Sequence, residues 1–503
     1  MRLNLFSFTV LLVVICCIDV SSQSKNNNSV NNNIVATVGN IKITTEEFIN
    51  GYEYGPAFYK RVKDSKKIFL DNLIREKLLA LDGLSRKLKT TQTVKEYYQT
   101  FRDDLATEEL FKDEILSKVA FTQSEIDTIA KQKLIDVELQ WLFTHENNEI
   151  IKLEDSLKKG ADFRILFERQ FNDTVSNEDR SLKSSRYQLE MKNSELGKII
   201  DKLKIGTTSS TVKTNDGWYI VHLKNISYNM MPSETEWNTV LDEAKRAVTK
   251  MKMDRLSDKY VKELMGEQKP VIKRKPFQIL RSYLAGFELP KEKYLAWKLD
   301  RKLEDALTGY KSKDQKDYSK INLVELKDYK ISLSDFIIWY RTRDEYLKLD
   351  KKNLAEYSRS LEQLVWRMVR DKLLCTIAEA KGYYGKKNVV VQSKWWLEKI
   401  LYATVKEEMI KSIVIEDKEI NAKYDDDKTK SELIEEELTK KFFRKINELK
   451  KQYTVTINRK LLDNIHVSEE ENLKAIEFYT IKRGGLIPRT PYPTVDNYWA
   501  RWQ

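Results

Sequence analysis

The chain repeats itself. "ATVGNIKITTEEF" (Ala36 to Phe48) aligns without a gap on "VELKDYKISLSDF" (Val324 to Phe336). Both stretches read as strand, tight turn, strand, then helix. Gly39-Asn40 suits a two-residue hairpin turn, and Asp328 stands at the Asn40 position. Thr44-x-x-Glu47 and Ser332-x-x-Asp335 are N-capping patterns, in which a hydroxyl satisfies the first orphan amides of a helix. Further on, "LIREKLL" (Leu73 to Leu79) matches "MVRDKLL" (Met368 to Leu374). Leu361, Leu364, Val365, Met368 and Val369 recur at the spacing of one apolar helix face. A third marker pairs "FTQSEI" (Phe121 to Ile126) with "IEDKEI" (Ile415 to Ile420). Three markers in the same order specify a duplicated helical module.

Composition agrees with a helix-rich fold. The 503 residues include only 15 Gly and 8 Pro, too few for the many turns of an all-β architecture. Charged residues make up 33% and hydrophobic residues 41%, as expected of amphipathic helices with wide solvated faces. The net charge of +12 arises from 89 basic and 77 acidic residues interspersed along the chain. No sustained basic run or nucleic-acid motif occurs, so nucleic acid is not an expected partner. No phosphate-binding glycine loop, zinc helix or redox dithiol motif occurs either, and no cofactor or metal is expected.

The N-terminus reads as an export signal. Arg2 precedes an apolar stretch from Leu5 to Ile18, too short to span a bilayer, and small residues allow cleavage after Ser22. The alternative is a lipid anchor through Cys16 or Cys17, although Ile15 or Cys16 stands where a lipoprotein signal places a small residue. The expected location is the periplasm, with no transmembrane span in the mature chain. Only Cys375 remains in the body, so no intrachain disulfide framework can form.

Between the two copies lies a segment of different texture. "VELQWLF" (Val137 to Phe143) alternates like a strand. "LEDSLKKGADFRILFERQF" (Leu153 to Phe171) reads as two helices parted by Gly160. "LGKIIDKLKIGTTSSTVKTNDGWYIVHLKN" (Leu196 to Asn225) reads as helix and closing hairpin, with Asp216-Gly217 at the turn. These pieces resemble a parvulin-type peptidyl-prolyl isomerase domain. The hairpin, capped helix and "LIREKLL" helix resemble the N-terminal module of the SurA, PrsA and PpiD exported chaperones. The expected fold is α+β and mostly α: two related helical chaperone modules, the first with an inserted small antiparallel-sheet domain. The expected boundaries are a signal peptide over 1–22, a polar linker over 23–33, and module 1 over 34–135. The parvulin-like domain follows over 136–227, then a helical return of module 1 over 228–285. Module 2 spans 286–465 without an insert, and an extended tail covers 466–503.

The resemblance implies binding of unfolded envelope or outer-membrane proteins without ATP, with outer-membrane assembly machinery as a further partner. Two alternatives stand beside it: an active peptidyl-prolyl isomerase, and a dedicated subunit of an envelope assembly or secretion complex. Active members of the family place two histidines on adjacent central strands. Here Trp141 and Tyr219 occupy those positions, and Tyr187 is the polar aromatic in the stretch before the third helix. Strand alternation points His222 to the face opposite Tyr219, His145 lies at a strand end, and His466 lies outside the domain. No catalytic residue is therefore assigned. Two aromatics over a former proline pocket could grip apolar peptides, or fill that pocket as core. Candidate peptide contacts are Tyr52, Tyr54, Phe58 and Tyr59 in the loop-like "GYEYGPAFYK", together with Trp141 and Tyr219. The proline-bearing end, "RGGLIPRTPYPTVDNYWARWQ", reads as extended: a strap over the protein's own surface, or a segment that docks into the client cradle as a pseudo-substrate or onto a partner.

Overall fold

The computed structural model describes residues 33–56, 60–228, 233–299, 321–343, 347–413, 430–468 and 491–502. The signal segment, Cys16, Cys17, Phe58, Tyr59, the "IEDKEI" marker and most of the C-terminal tail lie outside the described residues.

The chain opens with the hairpin β1 (Ile34–Val38) and β2 (Ile41–Thr44), then α1 (Thr45–Glu53), α2 (Ser65–Ser85), α3 (Gln92–Glu114) and α4 (Gln123–Lys133). The central segment follows as β3 (Ile135–Thr144), α5 (Asn147–Lys158), α6 (Phe163–Glu168), β4 (Ser181–Ser185), α7 (Arg186–Lys192), α8 (Ser194–Ile200), β5 (Val212–Lys213) and β6 (Trp218–Tyr228). The long helix α9 (Glu234–Gln268) leads into β7 (Val271–Ile272), α10 (Arg274–Glu288) and α11 (Lys291–Ala296). The second hairpin, β8 (Asn322–Glu325) and β9 (Lys330–Ser332), precedes α12 (Leu333–Arg341), α13 (Leu354–Ala380) and α14 (Lys387–Lys411). Then come α15 (Lys430–Gln452), β10 (Val455–Ile457) and α16 (Arg459–Asn464), and a short 3-10 helix over Asn497–Trp502 closes the described elements. The fold is α+β and mostly α, with small antiparallel sheets. No helix among the described residues is long and apolar enough to cross a membrane.

The chain divides into two compact units. The first contains residues 1–89, 398–473 and 492–503, and the second contains 90–397 and 474–491. Each unit holds one copy of the repeated hairpin, and each hairpin is completed by a third strand from far along the chain. In the first unit the sheet order is β10-β1-β2, with Val455 opposite Val38 and Ile457 opposite Ala36. In the second it is β7-β8-β9, with Val271 opposite Glu325 and Ile272 opposite Val324. Within residues 228–285, which the sequence reads as the helical return of module 1, β7 pairs with the second hairpin, and Ile279, Leu280, Leu284 and Ala285 of α10 pack into the core around Phe336 and Met368. A two-residue strand has no local signal of its own; the exposed edge of β8 selects it.

The repeat is visible in the packing. Thr44 Oγ1 accepts from Glu47 N at 3.1 Å, and Ser332 Oγ accepts from Asp335 N at 3.1 Å, so each hairpin feeds a capped helix. Phe48 and Tyr52 are buried in the first core, and Phe336 and Tyr340 at the same helix positions are buried in the second.

The central segment, within the second unit, forms a four-stranded antiparallel sheet in the order β4-β3-β6-β5. Alternation sorts its side chains. Val137, Leu139, Tyr219, Val221 and Leu223 face α7 and α8, where Leu189, Leu196 and Ile200 cover them. Leu142 and Ile220 face Ile150 of α5 and Phe163, Leu166 and Phe167 of α6.

Candidate functional site

The register of β3 against β6 brings the two sequence-selected aromatics onto one face. Trp141 lies opposite Val221 and Phe143 opposite Tyr219. The Trp141 and Tyr219 ring centroids are 6.3 Å apart, and Phe143 meets Tyr219 edge-on at 4.9 Å. Trp141 and Phe143 are half-buried, packed against the cluster of Val137, Leu139 and Leu223, while Tyr219 is buried. Phe143 belongs to this aromatic group although the sequence reading left it out. Its signal was the period of two it shares with Trp141.

The hairpin between β5 and β6 shapes the group. Gly217 has φ +156, and a Cβ there would lie 2.5 Å from Phe143 Cε2, so only glycine lets the turn close over that ring. The preceding Asp216 accepts the Tyr219 hydroxyl at 2.7 Å through Oδ2 and the Thr214 hydroxyl through Oδ1. Burial, reinforced by the Asp216 carboxylate, pushes the Tyr219 phenol well above its ordinary value. Tyr219 is therefore a neutral donor already committed to Asp216. The Arg180 guanidinium lies 5.0 Å from the Phe143 centroid, which gives the aromatic surface a cationic rim.

The two imidazoles of the segment lie apart from each other. His222 projects from the other face of β6 and stacks on Phe163 at 4.6 Å. Its Nδ1 is buried without a hydrogen-bond partner, and desolvation lowers its pKa. His145, past the end of β3, places Nδ1 3.1 Å from the Asp216 carbonyl oxygen and meets the edge of Phe143 at 4.9 Å. The two histidines do not face each other across the sheet. Tyr187 stands apart on α7, with Lys133 Nζ 5.2 Å from its ring centroid, in a cleft of about 400 Å³ that Asp136, Lys183 and Glu243 also line. That cleft has mixed charge and no contact to Trp141 or Tyr219 among its lining.

Of the described first-unit candidates, Tyr52 is placed differently from the loop reading and Tyr54 lies in the turn that follows the helix. Tyr52 lies on α1, which runs through Glu53, and is only 1% exposed. Phe48 stacks with its ring at 6.1 Å, Phe69 meets it in a T-shaped contact at 5.4 Å, and its hydroxyl donates to Ser65 Oγ at 2.8 Å. Helix capping by Thr44 carried α1 past Gly51, and the turn of α1 puts Tyr52 on the same side as Phe48. Tyr54 follows the helix, half-buried, with Tyr492 at 5.1 Å. Trp339, Trp395 and Trp396 are buried, and Trp366 is half-buried on α13. Cys375 is half-buried on the same helix, and desolvation with Asp103, Asp371 and Asp104 pushes its thiol well up, away from nucleophilic use. No group of three or more His, Cys, Asp or Glu among the described residues is arranged to hold a metal ion.

No protein-family model and no curated protein matches the chain. Among solved structures, the chain is similar to the peptidylprolyl isomerase PrsA of Bacillus anthracis at 16% identity, over 38% of this chain and 96% of that one, with a TM-score of 0.23. PrsA of Bacillus cereus is similar at 19% identity, over 46% and 93%, with a TM-score of 0.24. A structure from the pair of SurA-like chaperones of Campylobacter jejuni is similar at 16% identity, over 46% and 97%, with a TM-score of 0.22.

Proposed function

We propose that the chain is an ATP-independent chaperone of the cell envelope, which holds unfolded outer-membrane and other envelope proteins and carries a parvulin-like sheet that no longer isomerises proline. The carrying observation is the face shared by Trp141, Phe143 and Tyr219: His222 lies on the opposite face, and His145 touches only the edge of Phe143 at the strand end, its Nδ1 beside the Asp216 carbonyl. Rotation about a prolyl bond passes through a twisted amide, and lowering its barrier of ~18–20 kcal/mol requires polar groups aimed at that amide. Here the one hydroxyl on the face is spent on Asp216. What remains is partly exposed aromatic surface with a guanidinium at its rim. It suits weak, sequence-tolerant contact with apolar and proline-bearing segments. Export to the periplasm, with lipid anchoring as the alternative, belongs to the same reading.

Two assays test it together. Turnover of a proline tetrapeptide should be at background for the wild type, and Trp141→Ala should weaken suppression of aggregation of an unfolded outer-membrane protein. A wild type as fast as active parvulins would overturn the inactive-domain reading. Unchanged aggregation suppression by Trp141→Ala and by Phe143→Ala would remove the aromatic face from client binding.

A further inference from the structure

The two capped helices of the repeat differ at one informative place. α1 and α12 each run nine residues, and their seventh positions are Gly51 and Trp339. In the second unit the Trp339 indole donates to Asp371 Oδ2 at 3.0 Å. Asp371 corresponds to Glu76 in the "MVRDKLL" and "LIREKLL" match. In the first unit an indole also donates to that acid, but it comes from the end of the chain: Trp499 Nε1 lies 2.9 Å from Glu76 Oε1.

The approach of this segment is specified residue by residue. It crosses α1 where a side chain is missing: Thr494 Oγ1 donates to the Gly51 carbonyl at 2.7 Å, and a Cβ on Gly51 would come within 3.3 Å of Pro493 O. Asp496 N donates to the same Glu76 oxygen at 2.7 Å. The Asp496 carboxylate accepts from Lys406 Nζ at 2.6 Å and from the Tyr402 hydroxyl at 3.0 Å. Trp499 is 0% exposed, with Phe442 at 5.3 Å and Tyr402 at 6.1 Å. Glu76, itself 3% exposed, completes its hydrogen bonding with Lys399 at 2.8 and 2.9 Å.

We propose that the first unit contains a peptide-binding groove that reads an Asp-x-x-Trp motif, and that its ligand is the chain's own segment 492–499, held as a separable peptide. A buried acceptor at the floor of an aromatic slot selects an indole, and a lysine–tyrosine pair selects a carboxylate three residues earlier. The second copy closes the equivalent hole from within its own helix. The corresponding acids thus each receive an indole, one from within its own helix and one from the chain's segment, and Gly51 leaves the space beside Phe69 and Pro493 in which that segment crosses α1.

The test uses the full chain with a protease site inserted after residue 485. After cleavage, the released segment should stay bound through gel filtration and exchange with a labelled synthetic peptide of residues 490–503, read by fluorescence anisotropy. Peptides carrying Trp499→Ala or Asp496→Ala should bind at least tenfold more weakly. Gly51→Trp should abolish binding, because an in-helix indole then occupies the slot. Loss of the segment without saturable rebinding by a still-folded chain, or equal binding of the Trp499→Ala peptide, overturns the proposal. If the cleaved wild type unfolds, the added peptide decides: refolding with the wild-type peptide but not with the Trp499→Ala peptide supports the indole site, and rescue by neither or by both equally overturns it.

Discussion

Lys77 Nζ donates to Glu398 Oε2 at 2.6 Å in the first unit and also holds Glu47, and all three side chains are at most 5% exposed. Burial alone would lower the lysine pKa, but the two carboxylates outweigh it and hold the ammonium charged. In the second copy the matching residues are Lys372 and Asp335, 3.6 Å apart and each 40% exposed. The same pair therefore has two energetic settings. Removing one partner of a buried, hydrogen-bonded ion pair strands the other charge, at a cost of about 3–5 kcal/mol. Removing an exposed partner costs about 0–1 kcal/mol. Lys77→Met should lower the urea midpoint of the first unit strongly, whereas Lys372→Met should leave the second nearly unchanged. Equal effects would show that depth does not set the value of this pair.

His222 predicts a pH dependence. Its ring is stacked on Phe163, its Nδ1 has no acceptor, and desolvation outweighs the opposing field of Asp162, so its folded pKa lies below the ordinary 6.5. The folded state then binds fewer protons than the unfolded state below that pH. Stability contributed by neutral His222 is fully present above about 6.5 and declines as pH falls toward the folded pKa. Thermal denaturation of the sheet domain should shift to lower temperature between pH 7.5 and pH 5.5. His222→Phe should flatten that slope, and a slope equal to that of the wild type would assign it to another group.

Gly217→Ala should damage the aromatic face directly. The substitution combines a φ of +156 with a Cβ 2.5 Å from the Phe143 ring. Alanine at a positive φ destabilises by more than about 1 kcal/mol, and here the ring must also move. The expected result is a lower melting temperature together with weaker client binding than the stability loss explains. A fully folded variant with wild-type binding would show that the turn does not position Phe143.

The repeat, the capped helices and the central sheet were legible because each rests on local chemistry. Thr44 and Ser332 announce helix starts, and the alternation of Leu139, Trp141 and Phe143 announces a strand. The closing strands were not legible. Val271-Ile272 and Val455-Thr456-Ile457 are too short to carry a period, and their partners lie far along the chain. Tyr52 was misplaced because nearby glycines and a proline read as loop, while the Thr44 cap and the contacts with Phe48 and Phe69 carry the helix through it. The Trp499 strap had one signal, a glycine in one copy where the other carries tryptophan, but only the third dimension links that gap to the chain's end.

The distant strand of the first unit supplies the last prediction. β10 borders β1 through Val455 opposite Val38, Thr456 opposite Thr37 and Ile457 opposite Ala36, with Gly39 N donating to Thr454 O at 2.9 Å and Asn458 N to Val35 O at 2.8 Å. Those two amides bracket the pairing, so their exchange with solvent reports it. Asn458→Pro removes the second donor, and it also removes the side chain that accepts from Leu461 N at 3.0 Å and caps α16. Loss of the cap alone costs about 0.5–2 kcal/mol, which Asn458→Ala isolates. Asn458→Pro should therefore destabilise the first unit beyond Asn458→Ala and speed hydrogen exchange at Gly39, while the amides of β8 keep their protection because their third strand is β7. Unchanged exchange at Gly39 would mean that β1 and β2 stand without β10, and that the exchange of closing strands between the two copies is incidental to stability.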